Sequence, residues 1–290
     1  MVVLKKIIKN PMGFIGLTLV LFWVIIAIFA PLLAPPGDVR DPYMIKRAGY
    51  SSLPQPPSSE APMGLSGGGY DIYYGIIWGS RTAFRIGLIV VLISGLIGTL
   101  VGGVSAYIGG LMDEIVMRIV DLFMSFPFLI GVIIMTVVLG KGLNIVILAL
   151  IIFGWRGYAR VIRSEVLSVK ERDYVTAAKA LGLSRRRILI KHVFPNSIFP
   201  IFVLASLNIG RMVLLASSLS FIGVGSEPGF ADWGQMINFA RPWLTGVVGD
   251  PFAFWFTYLY PSLAICSFIL GWTLLGDTLR DVLDPQLKGT

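Results

Sequence analysis

The chain has 290 residues, of which 56% are hydrophobic and 14% charged, with a mean hydropathy of +0.81. This composition excludes an ordinary soluble domain and is typical of an integral membrane protein. One histidine excludes a site built from two histidines, and one cysteine excludes an internal disulfide. The net charge of +8 comes from basic residues beside apolar segments, which sets membrane orientation and does not indicate nucleic acid as a partner.

Residues 1–34 predict a cytoplasmic tail and a first transmembrane helix. Lys5, Lys6 and Lys9 precede an apolar segment at residues 11–34 that ends among prolines. A signal peptide has an apolar core of only about 7 to 15 residues and a small-residue cleavage site. We therefore predict an uncleaved helix with the N-terminus in the cytoplasm.

Residues 35–83 are rich in proline, glycine and serine and predict an extracytoplasmic loop. Within it, Leu65 to Gly69 read Leu-Ser-Gly-Gly-Gly, which is close to the Leu-Ser-Gly-Gly-Gln signature of ABC ATPases. A nucleotide site also needs a phosphate-binding loop of the form G-x-x-x-x-G-K-[ST], and the sequence has none. The likeness to the ATPase signature is therefore taken as coincidental.

Residues 84–290 predict a core domain with five more transmembrane helices. The second span, residues 84–108, has glycines at three- and four-residue spacing, which favours close helix packing in lipid. A short inside turn at residues 109–118 is predicted to lead to a third span at residues 119–139. In that span we expect Arg118 to pair with Asp121 and Pro127 to kink the helix.

The fourth apolar segment, residues 143–155, is too short to cross the membrane alone, because its 13 residues span only about 20 Å against a hydrocarbon core of about 30 Å. The helix must continue through Arg156, Arg160 and Arg163, which share one face and are predicted to reach the inner headgroups. The fifth span covers residues 198–224 and the sixth residues 251–275. A short re-entrant or interfacial segment is expected at residues 233–243, because aromatic side chains favour that depth.

A polar stretch at residues 174–196 separates the fourth span from the fifth and predicts two short helices. Gly182 is predicted to end the first helix in a left-handed conformation, Ser184 to cap the second, and Pro195 to stop it. Three arginines, residues 185–187, fill the first turn of the second helix, where the helix dipole disfavours each by about 0.3 to 1 kcal/mol. Two alternatives would compensate these charges. One is lipid headgroups or solvent, and the other is a protein groove that receives the helix pair. Ten of the 24 Lys and Arg residues lie between residues 156 and 191, which predicts that this loop is cytoplasmic.

This stretch resembles the EAA loop of binding-protein-dependent ABC importer permeases, whose pattern is Glu-Ala-Ala, three residues, Gly, nine residues, then Ile-x-Leu-Pro. Thr176-Ala177-Ala178, Gly182 and Pro195 have the matching spacing, while Thr176, His192 and Phe194 replace the residues of the pattern. The residues flanking the loop and the segments at 217–225, 232–234 and 276–285 resemble the dipeptide and oligopeptide (peptide/nickel) branch of this MetI-like family.

The resemblance implies an all-α integral membrane protein with six transmembrane helices, the type I ABC importer permease fold and a cytoplasmic coupling-helix loop at residues 165–196. It implies no catalysis, cofactor or metal in this chain, with ATP and Mg²⁺ bound by partner ATPases. The implied partners are a second homologous permease, two ABC ATPase subunits, an extracytoplasmic substrate-binding protein and the lipid of the plasma or inner membrane, with both chain termini cytoplasmic. The residues implied to dock the ATPase are Tyr174, Thr176, Ala177, Ala178, Leu181, Gly182, Leu183, Ser184, Arg185 and Arg186.

Four polar residues in the spans are candidates for the translocation path, namely Asp121, Asn208, Arg211 and Ser217. Internal structural pairing is the alternative for each of them. An arginine as deep as Arg211 costs about 2.5 to 3.5 kcal/mol on insertion scales, so we expect it to face protein or water.

Import of dipeptides or oligopeptides is the first functional hypothesis. The same architecture carrying oligosaccharides or nickel is the alternative within this class, and a stand-alone secondary transporter or channel is the hypothesis from another class. An intramembrane enzyme has no support, because the sequence offers no paired carboxylates or metal-ligand cluster in its spans.

Overall fold

The computed structural model describes residues 2–246, 250 and 252–283. Most of this part of the chain is helical. The helices are α1 (Val2–Lys9), α2 (Pro11–Leu33), α3 (Ile72–Ile108), α4 (Gly110–Ser125), α5 (Phe128–Leu139), α6 (Leu143–Lys170), α7 (Asp173–Ala180), α8 (Arg185–Ile188), α9 (Phe194–Ser197), α10 (Phe199–Ile222), α11 (Trp233–Ala240) and α12 (Phe256–Leu283). A π-helical turn, Leu189–Val193, joins α8 to α9, and a 3-10 turn, Arg241–Trp243, follows α11.

Five of these helices, α2, α3, α6, α10 and α12, are long and apolar enough to cross a membrane. The consecutive helices α4 and α5 are bent by 85° and supply a sixth crossing when they are counted as one span. The bend lies at Phe126 and Pro127, because a proline there removes a hydrogen bond of the helix ladder. The prediction of six spans with a proline kink in the third is confirmed on this count.

The loop predicted at residues 35–83 is shorter than expected, since α3 begins at Ile72 and not near Phe84. Asp71 caps α3, its Oδ1 accepting a hydrogen bond from the Tyr74 amide at 3.2 Å. A two-stranded antiparallel hairpin precedes the helix, with β1 at Leu65–Ser66 and β2 at Tyr70–Asp71. The segment that resembles an ATPase signature is therefore one strand and the turn of this hairpin.

The loop before the hairpin is tied to the segment between α10 and α11. Met44 pairs with Phe230 in an isolated antiparallel bridge, and the Ala231 amide donates to the Tyr43 carbonyl at 2.7 Å. The Trp78 indole donates to the Ala34 carbonyl at 2.8 Å, which fixes the end of α2 against α3. Together with the hairpin, these contacts form a cover over one end of the bundle.

The predicted inside turn at residues 109–118 is wrong. Gly109 and Gly110 have φ angles of 76° and 61° and reverse the chain within two residues, so α4 begins at once. The predicted pair between Arg118 and Asp121 is also wrong. Arg118 instead lies 3.7 Å from Glu114 one turn earlier, and Asp121 is taken by Arg160 of α6.

Glycines allow the long helices to pack closely, as their spacing predicted. A Cβ added to Gly102 of α3 would lie 2.4 Å from the Ala159 carbonyl oxygen of α6. A Cβ added to Gly16 of α2 would lie 2.7 Å from the Leu275 amide of α12. Small residues at such crossings let backbones approach in lipid, where apolar attraction between helices is weak.

The segment at residues 233–243, where a re-entrant or interfacial piece was predicted, is helical, and Trp233 is buried inside the protein. Its side chain is 2% exposed, its ring centroid lies 4.8 Å from that of Trp23, and its indole donates to the Ile76 carbonyl. A Cβ on Gly234 would lie 2.2 Å from the Ser217 carbonyl oxygen, so α11 packs directly on the backbone of α10. This short helix is therefore part of the protein core.

The sixth span is displaced toward the C-terminus relative to the prediction, since α12 runs from Phe256 to Leu283. Residue 251, where that span was predicted to begin, lies outside the described residues, as do residues 284–290 at the end of the C-terminal motif and Met1.

A coupling loop and an open helix face as candidate functional sites

The loop between α6 and α10 contains the predicted helix pair. After α7, Gly182 has a φ of 77°, and the Leu183 amide donates to the Ala178 carbonyl at 3.2 Å, as in a Schellman cap. The Ser184 hydroxyl then accepts a hydrogen bond from the Arg187 amide at 3.4 Å and caps α8. The predictions for Gly182 and Ser184 are confirmed.

The prediction that Pro195 stops the second helix is wrong. A π-helical turn, Leu189–Val193, follows α8, and Pro195 lies in the first turn of α9, where its missing N–H costs no hydrogen bond. The wider π turn shifts the ladder by one residue, so the chain continues into α10 with only a short break at Ile198. The coupling loop is thus joined almost directly to a transmembrane helix.

The helix pair has an inner and an outer face. Val175, Ala178 and Ile188 are buried against the rest of the chain, at 0%, 6% and 1% exposure. Ala178, one of the ten residues predicted to dock a partner, therefore supports the loop from within, and Leu183 is half-buried. The other eight are exposed, namely Tyr174, Thr176, Ala177, Leu181, Gly182, Ser184, Arg185 and Arg186.

Hydrogen bonds hold the loop to the ends of two membrane helices. The Tyr107 hydroxyl at the end of α3 donates to the Arg185 carbonyl at 2.9 Å. The Lys170 ammonium at the end of α6 donates to the Ala106 carbonyl at 3.3 Å, and that of Lys179 in α7 to the Lys170 carbonyl at 3.5 Å. Displacement of the helix pair therefore acts on α3 and α6 together.

The arginines of α8 are exposed. Within residues 2–246, 250 and 252–283, no acidic side chain forms an ion pair with Arg185, Arg186 or Arg187. The helix has only four residues, and Ser184 satisfies one of its free amides. The unfavourable charge at the start of this helix is thus left for something outside the chain to compensate.

The three arginines of α6, which were predicted to reach the inner headgroups, all have partners on α4. Arg163 binds both carboxylate oxygens of Asp113, with contacts of 2.7 to 3.0 Å. Arg160 pairs with Asp121, and Arg156 donates to the Phe123 carbonyl in the last turn of α4. A bidentate pair near the start of α4 and two further contacts therefore hold α4 along α6.

The four candidate path residues are not brought together. Asp121 is occupied by Arg160, Ser217 is 6% exposed beneath α11, and the Asn208 amide donates to the Tyr158 hydroxyl at 3.0 Å. Arg211 is exposed on the open face of α10, and the structure shows no hydrogen bond, ion pair or cation–π contact for it among the residues described. Of the four, only Arg211 is both exposed and without a polar partner among the described residues.

Sequence reasoning missed Tyr107 and Asp113. Tyr107 stands at the end of an apolar run, where a tyrosine is also expected for contact with the membrane interface. Asp113 lay within the predicted inside turn, and no partner was predicted for it. Its position on the same face as Asp121, two turns earlier, was the available signal that both carboxylates face one neighbouring helix.

A buried carboxylate fixes the segment between α10 and α11. Asp232 is 2% exposed and accepts hydrogen bonds from the Ser220 hydroxyl at 2.5 Å, the Ser226 hydroxyl at 2.7 Å and the Gly234 amide at 2.9 Å. Burial raises the pKa of Asp232 above its usual 3.8, although these hydrogen bonds oppose the effect. The carboxyl thus both caps α11 and joins it to α10.

We expect this group to give a pH-dependent contribution to stability. Because the folded-state pKa is raised, the contribution is fully present below the unfolded-state pKa near 3.8 and is lost as pH rises through the folded-state value. The difference in melting temperature between the wild type and Asp232→Asn should accordingly be most favourable to the wild type at low pH and decrease as pH increases. Ser226→Ala should move this decrease to higher pH, and a difference that does not vary with pH would contradict the assignment.

The sequence and the structure are similar to known transport proteins. Residues 68–289 match the family described as binding-protein-dependent transport system inner membrane component, and residues 2–57 match the N-terminal TM domain of oligopeptide transport permease C. The dipeptide transport system permease protein DppC of Bacillus subtilis is 34% identical over 284 residues, covering 98% of this chain and 85% of that protein. The glutathione transport system permease protein GsiD of Pectobacterium atrosepticum is 37% identical over 239 residues, covering 82% and 77%.

Among solved structures, an inward-facing form of the MetNI methionine ABC transporter matches with a TM-score of 0.55 at 20% identity, covering 72% of this chain and 96% of that one. This similarity confirms the predicted fold of an ABC importer permease.

Proposed function

Because the chain belongs to the family of binding-protein-dependent transport system inner membrane components, we propose that it docks an ABC ATPase through residues 174–190 and forms half of the path of an ATP-driven importer. A second, homologous permease supplies the other half, and two ATPases and an extracytoplasmic binding protein complete the complex. The chain itself is a transport component and not a catalytic subunit. Its location is the plasma or inner membrane, with both termini and the coupling loop on the cytoplasmic side.

The attachment of the helix pair is the observation that carries the docking proposal. Its outer face is exposed, while Tyr107, Lys170 and Lys179 tie it to α3 and α6. A coupling element must be held firmly by the part it moves and remain open to the part that drives it. The Gly182 turn and the Ser184 cap give the pair one defined shape, so movement of an ATPase is transmitted without loss in a flexible loop.

The exposed surface of the pair indicates the chemistry of its partner. Leu181 is 79% exposed at the turn between α7 and α8, and the three arginines that follow it have no ion-pair partner in the described part of the chain. A groove with an apolar pocket and acidic side chains would bury Leu181 and compensate the arginines at the start of α8. Anionic lipid would compensate the arginines alone, so the two alternatives predict different roles for Leu181.

Replacement of Leu181 by aspartate should prevent the ATPase from being retained on the permease. The change places a carboxylate in the proposed apolar pocket. A buried charge without a partner there costs about 3 to 5 kcal/mol. The measurement is the amount of ATPase that co-purifies with the tagged chain in mild detergent. Val39→Asp is the matched control, because Val39 is 85% exposed in the extracytoplasmic loop. Full retention of the ATPase by Leu181→Asp would contradict docking through this loop.

The proposed cargo is a short peptide. The relatives and the N-terminal domain family reported above are named for dipeptide, glutathione and oligopeptide transport, and these substrates share a peptide bond and a free carboxylate. Oligosaccharides and nickel lack that shared chemistry, and the substrate is tested by which compound stimulates ATP hydrolysis by the assembled complex.

A further inference from the structure

Two arginines lie at the middle of two neighbouring membrane helices. Arg156 is the fourteenth of the 28 residues of α6, and Arg211 is the thirteenth of the 24 residues of α10. The Asn208–Tyr158 hydrogen bond of 3.0 Å places the two helices in register. Consecutive spans run in opposite directions, so Arg156 and Arg211 are displaced from this bond toward the same membrane side, by about 3 Å and about 4.5 Å. They therefore occupy nearly the same depth on two neighbouring helices.

The arginine pair, Arg156 and Arg211, has no carboxylate partner among the residues that the structure describes. Asp121, the acidic side chain that approaches α6 one turn further along, is taken by Arg160. Arg156 donates to the Phe123 carbonyl, lies 3.5 Å from the Phe126 carbonyl and covers the Phe128 ring at 5.3 Å. Those contacts hold Arg156 in place but leave its charge uncompensated, and Arg211 has no contact of this kind.

Two positive charges in the middle of a membrane are costly unless they face water or an anion. An anion reaching this depth would offset the cost of placing two positive charges there. Guanidinium groups bind carboxylates through paired hydrogen bonds, which a planar anion with two oxygens satisfies. Every linear peptide carries one terminal carboxylate whatever its side chains, so a single such site serves many sequences.

We propose that Arg156 and Arg211 form a carboxylate-binding site halfway along the translocation path, which receives the carboxylate of the peptide as it crosses. This inference rests on the proposed function as a peptide importer. Arg211 is the principal ligand, because it is free, and Arg156 adds charge from a fixed position. The Phe123 and Phe126 carbonyls already bind Arg156, so Arg156 binds the cargo less tightly. Weak binding allows the cargo to leave the site.

The test is import by the complete complex, reconstituted in liposomes of one lipid composition with its binding protein. The probes are trialanine and trialanine amide, which differ only in the terminal carboxylate. The binding protein contributes the same preference in every permease variant, so it cancels when the acid-to-amide ratio of import rates is compared between variants. We expect this ratio to fall about tenfold in Arg211→Gln, because the loss of one charge-assisted hydrogen bond has an effect of about this size. Arg211→Lys should keep most of it, because the positive charge remains.

Further variants separate this role from a general loss of charge or of structure. Arg118→Gln removes the same charge from an exposed position on α4 and should leave the ratio unchanged. Import of trialanine amide at the wild-type rate by Arg211→Gln shows that the variant is folded and coupled. A third probe is alanyl-alanyl-glutamate whose terminal carboxyl is an amide, so that only the side-chain carboxylate remains. If its import depends on Arg211, the site accepts any carboxylate. If it does not, the site accepts only the terminal carboxylate.

Two results would overturn the inference, and they differ. An equal acid-to-amide ratio in the wild type and in Arg211→Gln contradicts the carboxylate site while leaving peptide import intact. Import of neither tripeptide by the wild-type complex contradicts the proposed substrate class, and the inference fails with it.

Discussion

Replacement of Gly182 by valine should abolish the stimulation of ATP hydrolysis by substrate in the assembled complex. Gly182 has a φ of 77°, a conformation that costs an ordinary residue about 1 to 2 kcal/mol and a β-branched one more. A Cβ there meets no other atom within 4 Å, so the substitution acts through the backbone alone. This cost lowers the equilibrium constant for the native loop conformation about five- to thirtyfold. The helix pair would then move without moving α3 and α6.

Two controls isolate the role of Gly182. Gly49, in the loop between α2 and α3, has a φ of 79° and equally open surroundings, so Gly49→Val introduces the same strain away from the coupling loop. Gly182→Asn should retain most of the coupling, because asparagine tolerates the left-handed region. The measurement is the ratio of ATPase rates with and without loaded binding protein, together with the melting temperature. Normal stimulation in Gly182→Val would show that the cap does not transmit movement.

Replacement of Gly102 by alanine should destabilise the whole membrane bundle. The added Cβ would lie 2.4 Å from the carbonyl oxygen and 2.7 Å from the Cα of Ala159. Both are backbone atoms, which no side-chain rotation can move away, so α3 and α6 must separate. Overpacking of this kind costs about 1 to 3 kcal/mol, and here it also shifts the two helices that hold the coupling loop.

The facing helix provides the matched control. A Cβ on Gly157 of α6 meets no atom within 4 Å, so Gly157→Ala makes the same chemical change at an unpacked position. It should be neutral or stabilise the fold by about 0.4 to 1 kcal/mol, because alanine restricts the unfolded chain. The check is the melting temperature of both variants in one detergent, monitored by size-exclusion chromatography. Equal melting temperatures would mean that the close crossing at Gly102 is not required.

The coupling loop was predictable from local sequence. Its shape depends on a glycine that reaches a positive φ and a serine that caps the next helix, and both effects operate within a few residues. The wrong prediction that Pro195 stops the second helix also has a local cause. A proline is compatible with the first turn of a helix, and the π turn that makes this position a first turn leaves no clear sequence pattern.

The contacts between distant segments were not predictable in the same way. The predicted Arg118–Asp121 pair followed from three-residue spacing, but α6 brings Arg160 to the same carboxylate from 39 residues away. Likewise, α3 begins at Ile72 because the hairpin and the loop before it cover its first turns, and that loop has no periodicity of its own. Pairing of this kind depends on which helices become neighbours, which one chain's sequence does not specify without its relatives.

The central claim is that this chain works as one membrane subunit of an ATP-driven complex. The most direct test is to extract the tagged chain from its native membrane in mild detergent and identify the proteins that accompany it by mass spectrometry. The account predicts a second, homologous permease and one or two kinds of ABC ATPase, present in amounts comparable to the tagged chain. A chain that is recovered alone, or only with copies of itself, under conditions in which known importer complexes stay intact, would contradict it.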